Sequence, residues 1–245
     1  MNEIINLLRS HRSVRKFSDQ AIEQEVLEEL IRCGQAAATS SFIQACSVIQ
    51  VEDKGLRDRL VDLSGGQPYV ASAAQFLVFC ADMKRHQLTC EMHQATMLSG
   101  YTEQFITATV DCALFAQNVF TAARSLGIEG VYIGGIRNNI SAVADLLELP
   151  SLVYPVFGLC LGYAAQNPEV KPRLPLSVVL KRNVYRDDND AATIAAYDQQ
   201  VREYYRTRTG GKKDTAWSEQ ISEMLERESR PHMKVFLKER GFLLK

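Results

Sequence analysis

The sequence lacks the short motifs that mark the commonest metal, hydrolase and dinucleotide sites. It has six cysteines but no C-x-x-C pair, and no two cysteines have the spacing of zinc ligands. It also has no G-x-G-x-x-G, no Walker loop, no H-E-x-x-H and no G-x-S-x-G. We therefore expect no metal site, no serine-hydrolase nucleophile and neither of the two usual dinucleotide loops.

An excess of charge and a secretion signal are missing too. Lys and Arg total 28 while Asp and Glu total 29, and this net charge of −1 argues against a nucleic-acid or anionic-membrane binder. The N-terminus has no apolar signal region, and no apolar run approaches the roughly 20 residues that cross a bilayer. Cys80 and Cys160 lie in apolar runs, as buried free thiols do in a reducing compartment. We expect a cytoplasmic protein that binds neither membrane nor nucleic acid.

What the sequence does contain is an alternation of strand and helix patterns around one core. Apolar runs predict about five strands, at 47–51, 76–82, from 130, at 153–163 and at 177–181. Helical patterns follow Asp19 and recur at 54–62, 103–126, 141–147, 191–207, 217–228 and 232–240. Residues 84–100 give no clear pattern. This succession predicts an α+β or mixed α/β fold around a single sheet, with the segment 103–126 as a buried central helix.

The helical tail after residue 183 carries apolar side chains that need a cover, among them Leu225, Val235, Phe236 and Leu237. A partner subunit is the expected cover.

Four segments concentrate hydrogen-bond donors. They are His11–Arg15, Ser40–Gln44 together with Gln67, Tyr132–Arg137, and the pair Lys171 and Arg173. Paired glycines let backbone N–H groups approach a ligand closely, and arginine forks bind phosphate through two hydrogen bonds. A solvated basic loop is the simpler explanation of any one segment taken alone, and spacing alone does not show that the four converge.

The order of several short motifs is more specific than any one of them. HRSVRKF, TSSFIQ, GGQPYV, FLVFCAD, GVYIGGIRNN, FGLCLGY, NPEVKPRLP and ESRPH follow one another over nearly the whole chain. The sequence thereby resembles the oxygen-insensitive NADPH nitroreductases and NADPH–flavin oxidoreductases, the FMN-dependent major nitroreductase group of bacteria. The resemblance implies an α+β fold with a mixed central sheet flanked by helices. It also implies a single domain over 1–245 whose helical extension, about 183–245, packs in an intertwined homodimer.

The resemblance further implies that FMN is bound without a covalent bond at the dimer interface. The positions that match the family's flavin contacts are His11, Arg12, Ser13, Arg15, Ser40, Ser41, Gln67, Tyr132, Ile133, Gly134, Gly135, Lys171 and Arg173. Arg15 is expected at the pyrimidine edge of the flavin, and the 132–135 backbone near N5. Thr39 replaces the serine usual in the family. No side chain is expected to act as a catalytic residue, because the flavin carries the chemistry.

For the nicotinamide nucleotide, the resemblance points to Arg208 and Lys213 as contacts of the NADPH 2′-phosphate. The alternative is that these cations only complement the C-terminus of a helix. Phe42, Arg137 and Arg230 are expected to line the substrate pocket; core packing and structural ion pairs are their alternatives.

The implied activity is ping-pong two-electron transfer from NADPH to nitroaromatics, quinones or free flavin. Two other functions stay open at this point: a flavin reductase that supplies a monooxygenase or luciferase, and a flavin-binding module without activity.

Overall fold

The computed structural model describes residues 2–245, and their contacts divide into two compact units. The first, called the core unit below, contains the chain up to Pro168 together with Arg230–Lys245. The second, called the helical unit, is the segment Glu169–Ser229.

A four-stranded sheet forms the centre of the core unit. Its strands are β1 (Cys46–Gln50), β2 (Gln75–Asp82), β3 (Ile128–Ile133) and β4 (Val153–Tyr163), in the spatial order β1-β2-β4-β3. The α+β class is confirmed, but the expected mixed sheet is wrong, since all three pairings of the described strands are antiparallel. β2 and β4 are buried almost continuously, because they are the two inner strands and other elements cover both sheet faces.

Eight α-helices surround this sheet within the described part of the core unit. They are α1 (Glu3–Arg9), α2 (Gln24–Gln35), α3 (Lys54–Leu63), α4 (Tyr69–Ser72), α5 (Lys84–Met92), α6 (Thr102–Ser125), α7 (Ile140–Leu146) and, after the helical unit, α11 (Met233–Glu239), with single 3₁₀ turns at Ser40–Phe42 and Gly134–Arg137. Side-chain caps start three of them, as at Asn2, Asp53 and Asn139. The segment 84–100, which the sequence left open, contains α5.

Helix α6 is the central helix that the sequence predicts. It contacts α1, α2 and all four strands, and its inward side chains include Ala108, Cys112, Ala116, Val119 and Phe120. By length and composition it is also apolar enough to cross a membrane, and 39% of its most apolar stretch is buried inside the protein. Thr, Gln and Asn interrupt its apolar residues, so no uninterrupted apolar run approaches the length that crosses a bilayer, as the sequence predicts. The central helix of a globular core meets the same criterion.

The helical unit consists of α8 (Leu176–Val179), α9 (Asp190–Thr209) and α10 (Trp217–Leu225). Its small core contains Tyr197, Val201 and Tyr205, with Trp217 packed against them. The strand predicted at 177–181 is wrong. The run S-V-V-L-K has β-branched side chains, but Pro175 precedes a single helical turn there, and no described strand lies beside it to pair with.

The remaining apolar tail residues divide into two groups. Phe236 and Leu237 are buried within the core unit itself, so they need no partner subunit. Leu225 and Val235 are exposed, at 71% and 59%.

All six cysteines are free thiols. Cys80 and Cys160 are completely buried, as predicted, and so is Cys112. The sulfur atoms of Cys46 and Cys112 lie 3.6 Å apart. Burial raises the pKa of Cys80 and Cys160. For Cys112, the hydrogen bond from Cys46 and then burial raise the pKa.

Candidate functional site

The segment that follows α1 lies along the outer edge of the sheet. Val14 is fully buried, and its N–H donates to the carbonyl of Gly130 in β3 at 3.0 Å. Three residues later Phe17 forms an antiparallel bridge with Ala164, just after β4. Because side chains alternate along an extended segment, the inward Val14 directs its neighbours Ser13 and Arg15 to the other side. Arg15 is exposed and Ser13 is half-buried.

His11 and Arg12 are held at the start of this segment. The His11 ring packs edge-to-face on Phe120 of α6, with the ring centres 5.6 Å apart. An amino group of the Arg12 guanidinium lies 3.8 Å from the Glu129 carboxylate. The Nε of Arg12 is buried and has no hydrogen-bond acceptor among residues 2–245. A buried N–H without a partner is costly, so this donor fits a bound acceptor such as a flavin or phosphate oxygen.

Arg124 of α6 fixes the position of the whole segment. Its guanidinium donates to the Leu7 carbonyl at 2.7 Å, to Ser10 Oγ at 2.9 Å and to Glu129 at 3.2 Å. Arg124 is only 7% exposed. The arginine therefore ties the end of α1 to α6 and β3, directly before His11.

A second group of predicted residues meets at the C-terminal end of β3. A Cβ placed on Gly135 would lie 2.3 Å from the Ser64 carbonyl oxygen and 2.5 Å from Nε2 of Gln67. Gln67 itself donates to the Ser64 carbonyl at 2.9 Å and accepts a hydrogen bond from Tyr69 at 2.9 Å. The loop before α4 and the turn after β3 are thus in direct contact.

Tyr132 connects the two groups. Its ring packs edge-to-face on Phe120, 5.5 Å between centres, and Phe120 is also the partner of His11. Burial raises the pKa of Tyr132, so its phenol is neutral at physiological pH. The side chain of Ile133 is buried in the core, which leaves only its backbone for a ligand.

Two arginines lie close together beside this turn. Arg137 donates to the Val156 carbonyl, and Arg230 donates to the Asn138 side chain at 3.1 Å. Burial lowers the pKa of Arg137, and the neighbouring charge of Arg230 lowers it further. Arginine stays protonated despite such a shift, so two like charges face the same small region. That arrangement favours an anion or an electron-rich group such as a nitro substituent.

The turn Ser40–Phe42 belongs to a different part of the core unit. The N–H of Ser40 donates to Asp111 of α6 at 3.0 Å. Asp111 precedes Phe120 by nine residues, which is about 13.5 Å along a helix. The contacts of this chain therefore do not bring Ser40 and Ser41 together with His11 and Gln67. Ser41 and Phe42 both have positive φ, and the Phe42 ring is 81% exposed.

The remaining predicted residues lie in the helical unit. Lys171 and Arg173 line a cavity of about 460 Å³ together with Leu174, Val179, Tyr197, Val201, Trp217 and Ile221. Arg208 and Lys213 lie at the end of α9 and in the loop that follows.

Comparison with known proteins identifies the family. The nitroreductase family model matches residues 8–163, and the model of the nitroreductase family C-terminal domain matches residues 171–245. The chain belongs to the nitroreductase family. The predicted family and the oxidoreductase class are thereby confirmed.

Individual members of the nitroreductase family match over nearly their full length. The oxygen-insensitive NADPH nitroreductase of Salmonella typhimurium is 45% identical over 242 residues, 99% of each chain. The FMN reductase (NADPH) of Bacillus subtilis is 41% identical over 247 residues, again 99% of each. The solved structure of the NADPH:FMN oxidoreductase from Vibrio harveyi, complexed with NAD⁺, superposes with a TM-score of 0.92 at 40% identity, covering all of both chains.

Sequence reasoning missed the residues that support this candidate site. Arg124 and Asp111 hold the two segments that carry predicted contacts, yet neither belongs to a motif. Their charge could have identified them in the sequence, because both are charged residues on the buried side of a helix whose other buried residues are apolar.

Proposed function

We propose that this chain is an FMN-dependent oxidoreductase that takes two electrons from NADPH and passes them to nitroaromatics, quinones or free flavin. The observation that carries the proposal is the junction at the end of β3. There His11 and Tyr132 share the Phe120 ring, and Gly135 touches Gln67. Donors predicted from two other sequence segments, His11 and Gln67, thus lie beside successive parts of the stretch 132–135.

The residues at this junction fit a flavin by their chemistry. Arg12 offers a buried N–H without an acceptor, and Gly134 and Gly135 leave backbone free of side chains. His11, Ser13, Arg15 and Gln67 add donors for phosphate, hydroxyl and pyrimidine groups. When bound, FMN supplies the two-electron carrier that none of these side chains provides. The chain's own residues bind and orient it.

The rest of the predicted site completes the proposal. Arg137 and Arg230 attract the acceptor's oxygens, and Phe42 offers an aromatic face. Lys171 and Arg173 bind the flavin phosphate, and Arg208 and Lys213 bind the 2′-phosphate of NADPH. Donor and acceptor use the same opening in turn, which gives ping-pong kinetics. Ser40 and Ser41 contact flavin in a homodimer, and the enzyme works in the cytoplasm.

The first experiment mixes the FMN-loaded protein with NADPH or NADH without oxygen and follows the flavin's visible absorbance. Fast bleaching by NADPH supports an oxidoreductase. Bound FMN that neither nucleotide bleaches contradicts it and leaves a binding module.

Turnover under air with a nitroaromatic is expected to consume no oxygen, because two-electron transfer bypasses the radical that oxygen reoxidises.

A flavin reductase is the second candidate, since the relative from B. subtilis is called an FMN reductase (NADPH). Comparing kcat/KM for free FMN with that for a nitroaromatic separates the two roles.

Replacing Arg208 with Ala tests the nucleotide contact. A hydrogen bond between charged groups contributes about 1.5–3 kcal/mol, so kcat/KM for NADPH should fall about 10-fold to 100-fold. NADH, which has no 2′-phosphate, should be affected far less. Arg186→Ala is the matched control, because Arg186 is an exposed arginine of the helical unit without a hydrogen bond or ion pair among the described residues. An equal loss with both nucleotides would refute the assignment.

A further inference from the structure

The cations around the loop after α9 differ in how their charge is compensated. Arg202 and Arg206 both bind the carboxylate of Asp214, at 3.2 and 2.8 Å, and Arg202 also binds Glu219. Hydrogen bonds from Arg206 and Arg202 lower the pKa of Asp214, so this carboxylate is ionised at neutral pH. These two arginines close the base of the loop, and their charges are already neutralised.

Arg208 and Lys213 contact tyrosines instead of carboxylates. Arg208 donates to the hydroxyl of Tyr204 at 3.0 Å and lies over the same ring. The Lys213 ammonium lies 4.2 Å from the ring centre of Tyr205. A neutral aromatic partner attracts a cation without cancelling its charge. The two cations are thus held in place and still able to attract a phosphate.

The two tyrosines form one support, called the tyrosine pair below. Their ring centres are 5.4 Å apart, and Tyr205 is only 6% exposed, within the core of the helical unit. Gln220 of α10 accepts hydrogen bonds from both the Tyr205 hydroxyl and the Lys213 ammonium, at 3.3 and 3.1 Å. Lys213 is therefore fixed by a buried ring and by a second helix.

The loop itself is shaped to return Lys213 to this support. Gly210 and Gly211 end α9 with φ of 58° and 81°, a conformation that favours glycine. After this reversal the N–H of Lys213 donates to Thr209 Oγ1 at 2.8 Å. Lys213, eight positions beyond Tyr205 in the sequence, thereby reaches the ring of Tyr205.

Lys171 shares the Tyr205 ring. Its ammonium lies 5.1 Å from the ring centre. Burial alone would raise the pKa of Tyr205, but Lys171 and Lys213 beside it outweigh burial, and the net pKa is lowered. Both lysines of the predicted phosphate sites thus act on one phenol.

We propose that the tyrosine pair determines the preference for NADPH over NADH. Tyr204 and Tyr205 are positioning residues that hold Arg208 and Lys213, with their charges uncompensated, ready for the 2′-phosphate. This inference rests on the proposed function and adds two residues to it. It assigns Arg202 and Arg206 to closing the loop rather than to binding the nucleotide.

The test compares Tyr204→Phe, Tyr205→Phe and Tyr205→Leu with the unchanged protein. The main readout is the ratio of kcat/KM for NADPH to that for NADH, which does not depend on the folded fraction of a preparation. We expect Tyr204→Phe and Tyr205→Leu to lower this ratio about three- to ten-fold through the KM for NADPH. Tyr205→Phe, which keeps the ring, should have a smaller effect. Tyr185→Leu is the matched control, because Lys181 lies over that exposed ring outside the loop.

A second readout is direct binding of adenosine 2′,5′-bisphosphate and of AMP, measured by calorimetry on the full chain. Loss of the bisphosphate's advantage in the Tyr204 and Tyr205 variants supports the inference even if no turnover is found. An unchanged ratio together with unchanged binding overturns it and leaves the oxidoreductase proposal intact. Equal losses with both nucleotides overturn it too, since they indicate a merely structural role. A parent protein that binds both probes equally also overturns it.

Discussion

At the scale of single residues, Gly134 and Gly135 show how closely the junction is packed. The two glycines are adjacent, yet an added side chain would meet different surroundings. At Gly135 it would collide with a backbone carbonyl, that of Ser64, and with Gln67. At Gly134 the nearest atom, at 3.3 Å, belongs to the flexible end of Arg137. A small movement of the Arg137 side chain would make room for a Cβ at Gly134, whereas the Ser64 carbonyl at Gly135 cannot move in this way.

We therefore expect Gly135→Ala to lower the free energy of unfolding by about 1–3 kcal/mol, the usual cost of overpacking a buried site. FMN affinity should fall as well, because Gln67 must move. Gly134→Ala is the control and should cost less than half as much. Urea denaturation measures the loss of stability, and fluorescence titration with FMN measures the loss of affinity. An equal loss of stability in Gly134→Ala and Gly135→Ala would refute the packing argument.

At the scale of elements, the junction depends on how α1, α6 and β3 are joined. Arg124 makes that connection from within α6, through the Leu7 carbonyl, Ser10 and Glu129. Without Arg124, Glu129 keeps only the more distant Arg12, at 3.8 Å, and the Leu7 carbonyl loses its arginine donor. This cost is much larger than that of losing an exposed pair.

Arg124→Met should accordingly destabilise the protein by about 2–4 kcal/mol and weaken FMN binding, since the segment His11–Arg15 loses its anchor. Arg32→Met serves as the comparison. Arg32 pairs with Glu28 and Glu29 on the surface of α2, so its loss should cost less than about 1 kcal/mol. Urea midpoints give both values, and a result in which Arg32→Met costs as much would contradict the role of Arg124.

The elements also show what could be predicted from the sequence. Continuous apolar runs predicted β2, β4 and α6 closely, because burial on several sides leaves a local pattern. The short helix α8 was missed, since its β-branched residues favour a strand and only the absence of a partner strand decides otherwise. Likewise, two separate motifs predicted Gln67 and Gly135 as flavin contacts, but not that these two residues touch each other. Their contact depends on the return of β4 between β2 and β3, which no local pattern contains.

At the scale of the whole molecule, an apolar stripe on α6 supports the proposed homodimer. Ile106, Val110 and Leu114 follow one another at four-residue intervals and are all exposed. Helix α1 packs on α6 and adds the exposed Ile4 and Leu8. An exposed apolar stripe such as that on α6 marks an association site in soluble proteins.

Val110→Asp should convert a dimer into a monomer of 27.5 kDa and release FMN, because a charge is then placed in the middle of the stripe. Val110→Ala, which keeps the surface apolar, should leave the dimer intact. Light scattering after size exclusion gives the mass, and a Val110→Asp variant that stays dimeric would show that the interface lies elsewhere.

The thiols hidden in the core have a further consequence if quinones are among the acceptors. Quinones are electrophiles that alkylate thiolates, so an enzyme that reduces them risks inactivation by its own substrate. Complete burial and raised pKa keep Cys80, Cys112 and Cys160 protonated and out of reach. Only Cys33 and Cys90 are partly accessible, and neither is among the residues assigned to the flavin site. The distribution of cysteine thus protects the protein chemically against the compounds it is proposed to consume.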